Sequence, residues 1–162
     1  GEDFSIDDAL RNLERIVRVT DLPVTLDFES GYGATPAEVG ASVRRARDAG
    51  AAGINMEDRM PGETALLPVA EAAERLGAAA ASGLFVNARC DVFRGVAPQD
   101  YTPRLVEAVI ERAEAYAAAG ASGLFVPFLG DHAIIRSICA ASPLPVNILW
   151  GPGRGTRAEL AA

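Results

Sequence analysis

Four short apolar segments of this chain each end in, or lead directly into, polar or charged side chains. The segments are Val24–Glu29, Gly53–Asp58, Leu84–Asp91 and Pro145–Leu149. If they are parallel strands, their carboxyl ends lie at one edge of a sheet and bring together Asp27, Glu29, Glu57, Asp58 and Arg89. Crowded carboxylates repel one another, whereas a divalent cation offsets the repulsion and a nearby arginine binds an anion. The pattern therefore predicts a site for a metal ion and an anionic ligand.

The segments around these strands have the patterns of helices and turns. Helices are predicted in turn over 5–18, 35–48, 67–80 and 102–118. Three of the strands follow a helix end and a glycine turn, in the related phrases 49–54, 81–86 and 119–126. Strand and helix therefore alternate along the chain, which is typical of a parallel sheet covered by helices.

Five βα units are predicted, with strands that begin near Val24, Gly53, Leu84, Leu124 and Val146. Repeats of this length are typical of a parallel (β/α)8 TIM-type barrel, and eight such units need about 250 residues. We therefore expect residues 1–162 to form a single α/β domain that is part of a barrel, with about five of the units of that fold present. An open, doubly wound sheet is the alternative, because its active groups also lie beyond the carboxyl ends of the strands.

The composition excludes several functions. The chain has 162 residues, 49% of them apolar, and a net charge of −7. Such an acidic chain is unsuited to nucleic acid or an anionic membrane surface, and no segment has the pattern of a membrane span or a signal peptide. We therefore expect a cytoplasmic protein that binds neither nucleic acid nor membranes. All 15 basic residues are arginine, so a lysine Schiff base is excluded.

The remaining reactive side chains give weaker signals. Cys90 and Cys139 have no metal-binding spacing and are predicted to be free thiols. A catalytic thiolate is conceivable at Cys90, but a small buried strand residue is the favoured interpretation. His132 is expected at a surface or capping position. The role of the glycine-rich segment Gly151–Gly155 is left open, because it lacks the spacing of a phosphate-binding loop.

The sharpest motif is the segment from Leu26 to Gly33. Strand alternation places Asp27 and Glu29 on one side of the strand, so two carboxylates point inward where the strand ends. The turn Gly31–Gly33 that follows lets the backbone approach a ligand closely.

Three segments, taken in order, resemble the isocitrate lyase and phosphoenolpyruvate mutase superfamily: Leu26–Gly33, Asn55–Asp58 and Val86–Phe93. Its members carry an Asp-x-Asp/Glu-x-Gly-Tyr-Gly strand end, then a Glu-Asp strand end, then an arginine on the following strand. The resemblance extends through Phe125–Pro127 and Pro143–Leu149, so it covers nearly the whole chain. It implies a (β/α)8 barrel that uses Mg²⁺ to hold the enolate oxygen and carboxylate of a pyruvate-like unit while a C–C or P–C bond is made or broken.

The resemblance also implies roles for individual residues. Asp27 becomes the predicted direct ligand of Mg²⁺, with Mn²⁺ as an alternative ion, and Glu29 and Glu57 become further ligands, direct or through water. Arg89 is predicted to face the anionic part of a small carboxylate substrate, and Arg89 and Glu57 together are the predicted catalytic residues. The other predicted substrate-binding residues are Tyr32, Gly33 and Asn147.

Two departures from the family pattern bear on the reaction. The loop Arg59–Leu66 has no Cys, His or Lys, whereas the lyase branch carries an acid-base cysteine there and the mutase branch a gating lysine. Pro127 lies near the place of a mutase histidine. These departures count against cleavage of isocitrate or methylisocitrate by the usual route of the family, and against phosphonate chemistry. The resemblance as a whole still implies a Mg²⁺-dependent enzyme acting on a C–C bond, and less readily a P–C bond, of a 2-oxo acid or enolate-forming carboxylate. The alternative is a catalytically inactive remnant that acts as a binding or interaction module.

Structural roles compete with these interpretations. Glu57 and Asp58 could cap a helix or pair with Arg59, and Arg89 could be an ion-pair partner of Asp91 or Glu57. The family pattern also includes strands before the matched region and helices after it. We therefore expect the chain alone to self-associate with little turnover, and the complete protein to be a homo-oligomer.

Overall fold

A computed structural model describes residues 4–151 and Thr156. Within this range the chain alternates helices and strands, with one short 3₁₀ helix before α4. The helices are α1 (Ile6–Val17), α2 (Pro36–Asp48), α3 (Val69–Ala80), the 3₁₀ helix (Pro98–Asp100), α4 (Pro103–Ala118) and α5 (His132–Ala141). The strands are β1 (Thr25–Asp27), β2 (Gly53–Glu57), β3 (Phe85–Arg89), β4 (Gly123–Val126) and β5 (Val146–Ile148).

The sheet topology decides between the two predicted folds. All described strands are parallel, and their order in the sheet, β1-β2-β3-β4-β5, is their order in the chain. A doubly wound sheet reverses its strand order at a switch point, whereas a barrel adds each strand beside the previous one. Successive helices also pack on one another, from α1 to α5. The chain thus forms five consecutive strands of a TIM-type barrel, as predicted, and the described residues contain four complete βα units, from β1–α2 to β4–α5.

Local sequence signals fix the ends of the helices. Thr35 and Glu38 form a capping box at the start of α2, where the predicted helix began. Asp131 caps α5 by accepting hydrogen bonds from the Ala133 and Ile134 amides, so His132 is the first helical residue and Asp131, not His132, is the cap. The predicted glycine turns before β2, β3 and β4 are confirmed, because Gly50, Gly83 and Gly120 have φ values of 100°, 81° and 96°.

The two faces of the strands differ in chemistry. The face toward the helices is apolar, and its side chains are at most 1% exposed: Ile54, Met56, Val86, Ala88, Leu124 and Val126. Alternation turns the other residues of the strands toward the inner face of the barrel, and most of their side chains are polar: Thr25, Asp27, Asn55, Glu57, Asn87, Arg89 and Asn147. The exceptions are Phe85 and Phe125, with glycine at positions 53 and 123. The core therefore lies between sheet and helices, and the inner face is available for a site.

The helices are short and amphipathic. In residues 4–151, none of them is long and apolar enough to cross a membrane.

Gly33 and Gly77 provide a matched test of the packing around α2 and α3. An alanine Cβ at Gly33 would lie 2.5 Å from the Val39 amide nitrogen, whereas at Gly77 in α3 the nearest atom would be 3.5 Å away. Gly33→Ala should therefore lower the free energy of unfolding by about 1–3 kcal/mol. Gly77→Ala should raise it by roughly 0.5–1 kcal/mol through helix propensity. Urea denaturation measures both, and equal stability of the two variants would contradict this packing.

Candidate active site

Four charged side chains form a closed ring at the carboxyl ends of β2 and β3. Glu57 and Arg89 are register partners on the two strands, and Arg89 Nη1 donates to Glu57 Oε1 at 2.6 Å. Arg89 also donates from Nε and Nη2 to the two oxygens of Asp91, at 2.7 and 3.1 Å. Arg59 closes the ring, because its Nε lies 3.0 Å from Asp91 Oδ2 and 3.3 Å from Glu57 Oε2. We call these four residues the charge ring.

The charge ring is nearly closed off from solvent in the described structure. The side-chain exposures of its members run from 0% for Asp91 to 12% for Arg89. Burial raises the pKa of Glu57, although Arg89 and Arg59 act in the opposite direction. Burial alone would lower the pKa of Arg89, but hydrogen bonds and charge from Asp91, and the charge of Glu57, raise it. The ring therefore holds Arg89 as a firmly protonated guanidinium.

A second buried network supports Asp91 from behind. The Asp91 amide donates to Asp58 Oδ1 at 3.0 Å, and Asp58 Oδ2 accepts from Tyr116 Oη at 2.9 Å and Arg112 Nη1 at 3.2 Å. Arg112 Nη2 also donates to the Leu67 carbonyl at 2.9 Å, at the end of the loop after β2. Burial raises the pKa of Asp58, against the effects of the Asp91 amide and Arg112. Asp58 thus anchors the strand end rather than capping a helix.

Asp27 is the open carboxylate of the inner face. It lies at the end of β1, is exposed, and its Oδ1 accepts a long hydrogen bond of 3.4 Å from Asn55 Nδ2. Its charge also raises the pKa of Tyr32 and contributes to the raised pKa of Arg89. Asp27 therefore lies on the same polar face as the charge ring.

Glu29 is positioned by the turn after β1 and not by strand alternation. β1 ends at Asp27, and Glu29 has a left-handed backbone with φ 48°, so the alternation that predicted a common face does not reach Glu29. The Glu29 carbonyl instead accepts from the Glu57 amide at 2.7 Å, which ties the turn to β2. The Glu29 side chain lines a concave pocket of about 310 Å³ together with Tyr32 and Met60.

The three predicted metal ligands are not gathered into one direct metal site. Among residues 4–151 and Thr156, no group of three or more His, Cys, Asp or Glu side chains is close enough to hold a metal ion. The reason lies in the charge ring, since both oxygens of Glu57 already face a guanidinium. Of the three, Asp27 is the exposed carboxylate, Glu29 is half-buried and Glu57 is buried.

Asparagines connect Asp27 to the far side of the sheet. Asn87 Nδ2 donates to Asn55 Oδ1 at 3.1 Å, and Asn147 Nδ2 donates to Asn87 Oδ1 at 2.9 Å. The contact between Asn147 and Asn87 passes over Gly123 of β4. Glycine at this position leaves room for the contact, because a Cβ there would lie only 3.0 Å from Asn87 Oδ1. Asn147, a predicted substrate-binding residue, is therefore part of a side-chain ladder across the inner face.

The turn that carries Tyr32 and Gly33 is held by a residue that sequence reasoning missed. Arg75 of α3 is 1% exposed and donates to the carbonyls of Ser30, Gly33 and Ala34, at 2.8, 2.8 and 3.0 Å. A side chain at Gly33 would collide with the start of α2, which accounts for glycine at this position. Tyr32 lines the same pocket as Glu29. No carboxylate pairs with Arg75 in a described salt bridge, so its role is to satisfy backbone carbonyls.

Phe128 extends an apolar ring over the site from the end of β4. It follows Pro127, has φ 68°, and its ring centroid lies 5.9 Å from the guanidinium carbons of both Arg89 and Arg94. Tyr101 Oη donates to the Phe128 carbonyl at 3.2 Å. Two apolar residues, Pro127 and Phe128, therefore follow β4. Pro127 lies near the place where the mutase pattern has a histidine.

Both cysteines have the positions of free thiols. Cys90 is fully buried, as predicted, and burial raises the pKa of its thiol. Cys139 is exposed, and both thiols are free. Of the segment Gly151–Gly155, all but Gly151 lies outside the described residues.

Sequence reasoning identified the strand-end charges but missed the arginines that hold them. Arg75 and Arg112 lie in segments rich in alanine and arginine, where a basic residue is expected to face solvent. A usable signal was present for Arg112, because Tyr116 lies four residues later on the same helix face. The ion pairs that the structural interpretation predicted, Arg89 with Glu57 and Glu57 with Arg59, are present in the charge ring.

The fold and the site define a class: a TIM-type barrel with carboxylates and arginines at its strand ends. The model of the phosphoenolpyruvate phosphomutase family matches residues 1–162, and the chain belongs to this family. The resemblance to the isocitrate lyase and phosphoenolpyruvate mutase superfamily, which comprises lyases and mutases, is thereby confirmed.

Three similar proteins illustrate the match. A predicted phosphonomutase from Burkholderia cenocepacia J2315, known from its crystal structure, is 48% identical in sequence to this chain. The two structures have a TM-score of 0.95, and the match covers 99% of this chain and 66% of that one. The 2-methylisocitrate lyase of Escherichia coli K12 is 36% identical over 56 residues, 35% of this chain and 19% of the lyase. Phosphonopyruvate hydrolase in complex with oxalate and Mg²⁺ is 24% identical, with a TM-score of 0.75 over 97% of this chain and 56% of that one, which shows the shared fold. The chain spans two thirds or less of each relative.

Tyr116→Phe tests the network behind Asp91. The change leaves the buried Asp58 carboxylate with one donor fewer, so the free energy of unfolding should fall by about 1–3 kcal/mol. Tyr101→Phe is the matched control, because its hydroxyl bonds a carbonyl at the exposed edge of the site and should cost less than about 1 kcal/mol. Urea denaturation measures both. Equal losses in the two variants would show that the buried network contributes no more to the free energy of unfolding than one exposed hydrogen bond does.

Proposed function

We propose that this chain carries the strand-end half of the active site of a Mg²⁺-dependent lyase- or mutase-like enzyme. Its substrate is a small anionic carboxylate, a 2-oxo acid or an enolate-forming acid. The observation that supports the proposal most directly is the placement of Arg89, held between Glu57 and Asp91 on the same polar face as Asp27. A protein of this family with these groups at its strand ends suits an anion bound beside a metal ion.

Arg89 is the proposed contact for the anion of the substrate. Its guanidinium is planar and permanently charged, so it matches the two oxygens of a carboxylate. Phe128 covers one side of the guanidinium and limits its access to water. An anion bound here would therefore meet a desolvated and oriented charge, which strengthens the interaction.

Asp27 is the proposed metal ligand, and the residues present fit a largely hydrated ion. Mg²⁺ keeps several waters and commonly uses one or two carboxylates, and Asp27 offers both oxygens with a single weak amide contact. Glu29 and Glu57 would support the ion through water, because the oxygens of Glu57 already face arginines. When bound, the ion supplies the positive charge that stabilises an enolate oxygen.

The reaction we propose is formation or cleavage of a C–C bond. Pro127 lies near the place of the mutase histidine, which favours C–C over P–C chemistry. The loop Arg59–Leu66 has no Cys, His or Lys for the acid-base step of the lyase branch, so that step would use another group of the site. Glu57, whose pKa burial raises, is the proposed proton-transfer group beside Arg89. Further residues of the complete protein, which we propose is a homo-oligomer, would complete the site.

A second candidate function is a catalytically inactive binding module. The lack of a Cys, His or Lys in the loop favours it, since such a site could still bind a carboxylate through Arg89. The complete protein distinguishes the two candidates: Mg²⁺-dependent turnover of oxaloacetate or a substituted malate supports the enzyme, whereas oxalate binding with no turnover of such acids supports the module.

Asp27→Ala tests the metal assignment. The variant should bind Mn²⁺ at least tenfold more weakly in calorimetric titration, because it loses the proposed direct ligand. Asp48→Ala, at the exposed end of α2, removes a carboxylate away from the strand ends and should bind as the wild type does. Equal Mn²⁺ affinity in wild type and Asp27→Ala would show that the ligand lies elsewhere.

Arg89→Lys tests the anion assignment. Lysine keeps the charge but loses the planar fork, so oxalate and pyruvate should bind about tenfold more weakly, a loss of about 1.4 kcal/mol. The melting temperature should stay within a few degrees of the wild type, since one ion pair with Glu57 or Asp91 remains. Large destabilisation without a specific loss of ligand binding would instead assign Arg89 to the fold alone.

A further inference from the structure

Arg59 stands out because it duplicates the contacts of the proposed anion-binding arginine. Its Nε approaches Asp91 Oδ2 at 3.0 Å and Glu57 Oε2 at 3.3 Å, and these are the two carboxylates that Arg89 also holds. Its Nη1 donates to the Glu63 carbonyl at 2.7 Å, and Arg59 pairs with Leu66 in an antiparallel bridge. The side chain is 9% exposed. The carboxylates and the Glu63 carbonyl hold its guanidinium, and the bridge to Leu66 holds its backbone.

The charge ring engages three of the five N–H groups of Arg89. Its Nε and Nη2 each donate to Asp91 and its Nη1 donates to Glu57. One N–H group on Nη1 and one on Nη2 remain, and a carboxylate ligand can accept from both of them. The direction of these two groups depends on Glu57 and Asp91, because these carboxylates orient the guanidinium.

We propose that Arg59 is a positioning residue that fixes Glu57 and Asp91, so that these carboxylates hold the guanidinium of Arg89 with its two remaining N–H groups available to the anionic ligand. This inference rests on the proposed role of Arg89. Because Arg59 contacts both carboxylates that hold Arg89, it fixes the two groups that set the orientation of Arg89. The loop after β2, which lacks a Cys, His or Lys, thus contributes to the site through the arginine at its start.

Arg59→Gln in the full chain is the direct test, with oxalate and saturating Mg²⁺ as the probe in calorimetry. Glu57 and Asp91 lose a shared partner in this variant and no longer hold Arg89 firmly in one orientation, so oxalate affinity should fall at least tenfold. Arg47→Gln, on the surface of α2, removes the same charge away from the site and should leave the affinity within threefold. The Arg59→Gln loss should persist at high ionic strength, because salt screens distant charges but not buried contacts.

Arg59→Lys keeps the inference testable if Arg59→Gln does not fold. Lysine retains the charge and can pair with either carboxylate, so oxalate affinity should recover to within about threefold of the wild type. Three results would overturn the inference: oxalate affinity unchanged in folded Arg59→Gln, a loss that disappears at high salt, or a folded Arg59→Lys that binds no better than Arg59→Gln. Failure of the wild type to bind oxalate would instead refute the proposed role of Arg89.

Discussion

The requirement that a buried charge be paired shapes the carboxyl edge of this sheet. The Asp91 side chain is fully buried, and three arginines, Arg59, Arg89 and Arg94, converge on its two oxygens. Its backbone amide is in turn held by Asp58. An unpaired carboxylate at this depth would be strongly destabilising, so each neighbouring position is constrained in charge and reach. The same constraint orients Arg89, because a guanidinium bound on three sides has one defined position.

The barrel architecture makes such a cluster possible. The strands bury their apolar residues against the helices, which fixes the register of β2 and β3 and sets Glu57 opposite Arg89. A register slip of one residue would turn Ile54 and Met56 inward and the charges into the apolar layer. Apolar packing on one face therefore determines the geometry of the charges on the other. The position of Glu57 relative to Arg89 thus depends on how well the apolar residues of β2 and β3 pack against the helices.

Much of this organisation could be predicted from the sequence, because the signals are local. Glycine turns and apolar strands fixed the order and ends of the elements, and the strand ends located Asp27, Glu57 and Arg89. The orientation of Glu29 could not be predicted, because strand alternation stops where β1 ends and a left-handed residue follows. Of the buried arginines on the helices, Arg112 had one local signal, Tyr116 four residues later, and Arg75 had none. Whether an arginine on an alanine-rich helix faces solvent or a carbonyl depends on the neighbouring unit, which no local pattern encodes.

The use of arginine alone as the basic residue has a chemical consequence for the site. A single guanidinium can bind two carboxylates and a carbonyl at once, as Arg59 does, whereas a lysine ammonium acts as a point charge. Arginine also stays protonated across the physiological pH range, so the positive charge at the strand ends does not titrate. Any change in anion binding with pH must then arise from the carboxylates that face the arginines or from the ligand itself. Burial shifts the pKa of Glu57 upward, against the effects of Arg89 and Arg59, so its charged form is held in the ring by its basic partners.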